Sequence, residues 1–164
     1  MLINSDINIL GGLPDWNLIN VFLNENINTI RADVGLNAVT AIKTDKSVKR
    51  FEKAITDTLL KFKNLEVAAI CKTTIETEAI NSDVLLLLFW NASYNNDLLN
   101  YLNEKVFFLA FYSGRVAIKS DEIAACINEL KQEEESLKKW SDLTISTVAS
   151  KYLTLMKKLG LMEG

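Results

Sequence analysis

Histidine is absent from the 164 residues. That removes imidazole as general base, as member of a catalytic triad and as metal ligand in one stroke. Proline occurs once, at Pro14, and glycine only six times, so few positions force the backbone out of a helix. The two cysteines, Cys71 and Cys126, form no CxxC pair, and each sits in an apolar stretch. Buried free thiols are the expectation, with a disulfide between them as the alternative. Long hydrophobic runs are also missing. The two strongest, 84–90 and 106–112, hold seven residues each, against the roughly 20 that span a bilayer. Both read as buried core helices. The stretch 1–13 carries Asp6 and no cationic start, so no signal peptide is expected and a cytoplasmic location follows by elimination.

What remains is 49% apolar and 24% charged, enough apolar material for one core in one domain, 1–164. Gly11, Gly12, Leu13, Pro14 and Asp15 read as a turn into a helix carrying Trp16, Leu18, Ile19, Phe22 and Leu23. Residues 26–43 fit a short helix, a strand pair or a loop. From 44 to 63, Val48, Phe51, Ile55, Thr58, Leu59 and Phe62 recur at helical steps behind a cap at Thr44 or Asp45. Asn64 starts a short helix, 65–73, and Asn81 or Ser82 caps the run ending near Ala92. Residues 97–111 continue as helix, with Leu98, Leu99, Leu102, Val106 and Leu109 inward, ended by Gly114. Residues 116–118 form a short extended connector. Ser120 caps 121–135, and the last helix starts near Ser141 or Thr144 and stops at Gly160. The fold class is all-α, a compact multi-helix bundle of about seven helices with a helix–turn–helix-like C-terminal pair. Phe51, Ile55, Leu59, Phe62, Leu86, Phe89, Leu102, Val106, Ile123, Val148, Tyr152 and Leu155 are its expected core.

Net charge is −3, which argues against indiscriminate coating of nucleic acid. Its distribution is uneven: residues 43–72 carry +4 and 143–164 carry +2, while 1–42, 73–118 and 119–142 carry −3 each. Lys46, Lys49, Arg50 and Lys53 share one helical face opposite the apolar stripe, a strip able to neutralise phosphates. The competing reading is a plain solvated face, partly offset by Glu52 and Asp57. On the last helix Thr144, Thr147, Lys151, Thr154 and Lys158 share the polar side, residue types that meet phosphates and base edges. A terminal helix docked on the bundle with a wet outer face is the bland alternative. The 132–141 connector is longer than the turn of a compact DNA-reading motif.

Nothing else carries chemistry. Glu133, Glu134 and Glu135 splay around a helix, Glu76 and Glu78 lack helical pairing, and Gly11-Gly12 lacks a phosphate-wrapping glycine pattern. No catalytic residue, metal ligand, cofactor or small-molecule substrate is expected, nor any membrane partner.

The order of features resembles the BrxA family of BREX phage-defence systems. It runs from Gly11, Gly12, Pro14, Trp16 and Leu18 through the basic helix 47–62, the apolar helix 83–90 and an aromatic-rich helix closing near Tyr112. Its most specific part is Trp140-Ser141-Asp142-Leu143-Thr144, then Ala149-Ser150-Lys151, Leu155 and Leu159-Gly160-Leu161. The resemblance implies a non-enzymatic component with a helical fold similar to the NusB antitermination proteins, able to bind duplex DNA. It further implies work beside a methyltransferase, an ATPase and a phosphatase-like protein of the same system. It supplies no contact residues, so Lys46, Lys49, Arg50, Lys53, Thr144, Thr147, Lys151 and Lys158 rest on charge placement alone. The alternatives are a protein–protein adaptor, whose surface would be apolar or acidic, and RNA binding by analogy with the NusB fold.

Overall fold

The computed structural model describes residues 1, 3–13, 19, 44–77, 80–115 and 117–163. Among them all regular structure is helical. The helix expected after Pro14 lies outside the described residues apart from Ile19, which is buried, as do the ambiguous stretch 26–43 and Val116 of the expected connector.

Helix α1 (Asp6–Gly11) starts where the Asn4 carboxamide accepts from the Asp6 amide at 3.0 Å. Helix α2 (Asp45–Ala54) is capped by Thr44, whose hydroxyl accepts from the Ser47 amide. It runs on as one π-helical turn, Ile55–Leu59. Asn64 and Asn81 cap α3 (Leu65–Thr77) and α4 (Ser82–Asn95) in the same way, and Asn96 caps α5 (Asp97–Leu102). A second π-helical turn, Asn103–Phe107, joins α5 to α6 (Phe108–Tyr112), and Gly114 follows at φ +72°, a left-handed stop that suits glycine. Helix α7 (Ser120–Glu133) begins one residue earlier than expected, at Ser120 itself. Lys119 is the cap position, because the Glu122 carboxylate reaches back to its amide at 2.9 Å while Arg115 holds the same carboxylate. A 3₁₀ turn, Glu135–Leu137, leads to α8 (Asp142–Lys158), capped by Ser141.

Helix α8 is the centre. It packs along α1 on one side and α7 on the other, while α4 lies across the π-helical end of α2. Three buried polar side chains fasten α8 to the rest. The Tyr152 hydroxyl donates to Asn103 Oδ1 at 2.7 Å, Asn103 Nδ2 donates to Ser93 Oγ at 2.8 Å, and Ser93 donates to the Phe89 carbonyl at 2.9 Å. Each group in the chain has a partner, which makes its burial tolerable. The end of α2 is closed from outside: Asn91 donates to the Leu59 carbonyl and Asn95 to those of Thr58 and Lys61, carbonyls that a helix end otherwise leaves orphaned.

Nine of the twelve expected core residues are buried, and Phe51 and Phe62 are half-buried. Leu86 is exposed instead, at 44%. Helix α4 is apolar all round from Val84 to Trp90, so hydropathy does not select a face. The fold takes Val84, Leu88, Phe89 and Ala92 inward and leaves Leu86 and Trp90 outside. Leu109, expected inward, is 63% exposed and Ala110 takes its place. The π-helical turn adds one residue to the repeat, which moves the inward position seven residues beyond Leu102 on by one. Both cysteines are buried free thiols.

Removing the hydroxyl of Tyr152 leaves Asn103 Oδ1 buried without a donor, while the ring still fills its place. Tyr152→Phe should therefore destabilise the fold by about 1–3 kcal/mol, measured by urea unfolding, with the far-ultraviolet circular dichroism of the native state unchanged. Full stability in the variant would show that the chain of side chains does not hold α8.

Candidate nucleic-acid interface

Helix α1 was not anticipated, although the Asn4-Ser5-Asp6 start followed by Ile7 and Leu10 was a readable signal. It brings the two basic segments together. One flank of α1 packs on α2 and another on α8, so strips about a hundred residues apart in sequence meet at its C-terminal end. Gly11 permits this: a Cβ there would lie 2.4 Å from the Lys151 carbonyl oxygen of α8. Gly12, next to it, has Lys151 Nζ 3.9 Å from the position its Cβ would take.

Lys46, Lys49, Arg50 and Lys53 are all exposed on α2. They are not equivalent. Lys53 is ion-paired with Asp57, one turn on, and that hydrogen bond raises its pKa. Asp6 of α1 also faces this pair. Burial is the main cause of its raised pKa, opposed by Lys53 and reinforced by Asp57. The Lys53 end of the strip is therefore locally neutralised. Lys46, Lys49 and Arg50 pair with no carboxylate among the described residues.

The α8 candidates divide similarly. Lys158 is half-buried and its ammonium donates to the carbonyls of Gly11, at 3.3 Å, and Leu13. It serves as a cap for the C-terminal end of α1, where carbonyls concentrate negative charge. Burial lowers its pKa, and the neighbouring Lys151 charge lowers it further. Lys151 is half-buried and has no carboxylate partner among the described residues. The hydroxyls of Thr147 and Thr154 donate to the carbonyls of Leu143 (2.7 Å) and Ser150 (3.0 Å), so towards a ligand they can only accept. Thr144 Oγ1 lies 3.0 Å from Ser141 Oγ at the helix start. The connector between α7 and α8 is tied by Lys131, which donates to the Trp140 carbonyl at 2.7 Å, and by buried Leu137. The three glutamates of the charge run part ways: Glu134 meets the Met1 amine and Glu135 pairs with Lys138.

A second surface escaped the sequence reading. Trp90, Phe111 and Tyr112 are 55–81% exposed, and with Phe108 they form a continuous series of ring contacts. Trp90 stacks on Phe108 at 6.1 Å, Phe108 meets Tyr112 at 6.3 Å, and Tyr112 meets Phe111 at 5.5 Å. With Leu86 and Leu161 they line an open apolar groove of about 230 Å³. Single exposed apolar residues are ordinary, but a contiguous aromatic surface is not. The missing signal was the face: both runs are apolar on every side. No described helix is long and apolar enough to cross a membrane.

Gly11→Ala should separate α1 from α8, because the added methyl meets a backbone oxygen that cannot turn aside. A loss of about 1–3 kcal/mol is expected from such overpacking, read by thermal and urea unfolding. A neutral outcome would mean that the two helices do not approach this closely.

No family model, curated protein or solved structure matches the chain.

Proposed function

We propose that the chain is a non-enzymatic, duplex-DNA-binding accessory protein of a bacterial BREX phage-defence system, related to the BrxA family and NusB-like in fold. The observation that carries the reading is the placement of cations that meet no carboxylate among the described residues. Lys46, Lys49 and Arg50 stand exposed on α2, and Lys151 stands across the end of α1 from them. One face thus offers about four charges to a phosphate backbone, on a body that is otherwise net acidic. Lys53 and Lys158 contribute less, the first because Asp57 neutralises it and the second because backbone carbonyls occupy it. Thr144 and Thr147 at the start of α8 are the candidates for contact with base edges, Thr147 as an acceptor because its proton is given to the Leu143 carbonyl. The α7–α8 pair would present α8 in the manner of a helix–turn–helix, with a longer connector.

The exposed ring series around Trp90 and Tyr112 favours a second reading, an adaptor that docks another protein of the same defence complex. Aromatic residues are enriched at such interfaces. The surface lies on α4 and α6, which carry none of the proposed DNA contacts, so the two readings are separable.

Duplex DNA should bind weakly, with log affinity falling against log salt at a slope of about −3 to −4 for about four phosphate contacts. Fluorescence anisotropy across a salt series measures it. Reversing Lys49 and Arg50 to glutamate should abolish binding, whereas Lys53→Gln should leave the slope nearly unchanged. Absence of binding at micromolar protein in low salt would remove the DNA reading and leave the adaptor in its place.

A further inference from the structure

The geometry points to a seat for a single phosphate group at the C-terminal end of α1, between Arg50 of α2 and Lys151 of α8. This deepens the DNA reading and rests on it only for the source of the phosphate. A recess of about 210 Å³ lies between α1 and α2, lined by Asn8, Gly12, Ser47 and Arg50 together with Ile9 and Phe51. It is smaller than the roughly 300–1,000 Å³ of sites for drug-sized molecules, which suits a small anion better than a whole nucleoside. Among the described residues no carboxylate lines it.

Its donors are uncommitted. Among the described residues Arg50 pairs with no carboxylate, and its planar fork matches a phosphate edge. Ser47 Oγ accepts from Thr44 Oγ1 at 2.9 Å, so its own proton is free to donate. Asn8 borders the recess as well, and its carboxamide carries two N–H donors. A Cβ at Gly12 would lie 3.2 Å from the Asn8 carbonyl oxygen, 3.4 Å from that of Ile9 and 3.9 Å from Lys151 Nζ, so the cations at this rim must outweigh the helix-end carbonyls for an anion to sit there. Lys151 is held near a second cation: Lys158 is spent on the α1 carbonyls, and its pKa is lowered by burial first and by Lys151 second. An anion beside Lys151 offsets that repulsion.

The test uses the full chain and inorganic phosphate, titrated at constant ionic strength against chloride and followed by the amide resonances of Gly12 and Ser47. Saturable shifts with phosphate and none with chloride are expected. R50Q/K151Q should weaken phosphate binding by at least about tenfold, since it removes two charge-assisted donors. K72Q/K139Q, which removes the same charge from exposed positions elsewhere, should not. The spectra report the fold of each variant, and the wild-type titration decides the matter even if R50Q/K151Q fails to fold. No saturable shift in the wild type, or equal weakening by both double variants, overturns the seat. Duplex DNA then distinguishes the source. Competition between phosphate and DNA, with a matching loss in R50Q/K151Q, assigns the seat to the DNA backbone. Phosphate binding without any duplex binding upholds the seat for a free phosphate monoester and ends the DNA reading.

Discussion

A hydrogen-bonded run of side chains through the middle of the molecule, from Tyr152 through Asn103 to Ser93, decides how the helices are placed. Apolar packing by itself is nearly indifferent to rotation of one helix against another. A buried asparagine is not, because any slip strands its carboxamide at the cost of a lost hydrogen bond. Asn103 opens the second π-helical turn, and this turn sets which residues of α6 face inward. Ala110 is buried while Leu109 and Phe111 are left outside. The same anchor holds α8 in register, and α8 in turn receives α1 through the close approach at Gly11.

That approach has an electrostatic consequence. The C-terminal end of a short helix gathers carbonyls, and Lys158 answers them from α8. With Lys158 so engaged, Lys151 has no anionic partner among the described residues, and α2 brings Arg50 to a recess that Gly12 also borders. On α2 itself the cations sort by position. Lys53 meets Asp57, with Asp6 of α1 nearby, whereas Lys46, Lys49 and Arg50 are exposed and meet no carboxylate among the described residues. Where cations outnumber partners on one side of an acidic protein, a polyanion gains most by binding there.

The aromatic surface arises from a different constraint. A helix can turn only one stripe to the core, so a segment apolar on all sides must leave part of itself in water. Helices α4 and α6 do so next to each other, and their surplus rings stack into one groove instead of scattering. It lies on elements separate from the cationic face, which gives the molecule two chemically distinct surfaces.

Local pattern was enough for the helical class of the described residues, the cap at Asn64 and the stop at Gly114, and it narrowed three other caps to one of two residues, of which the structure takes Thr44, Asn81 and Ser141, because each depends on residues within one turn. Nine of twelve core positions were legible for the same reason: helical periodicity marks a face when the opposite face is polar. Leu86 and Leu109 were not legible. One belongs to a helix without a polar face, and the other follows a π-helical turn that breaks the period. The cations of the candidate site could be named from sequence, but not sorted. Whether Lys53 is neutralised, whether Lys158 is spent on carbonyls, and whether Arg50 and Lys151 flank one glycine depend on contacts between segments far apart in the chain. Those distances exist only once α1 lies between α2 and α8, and no local pattern encodes them.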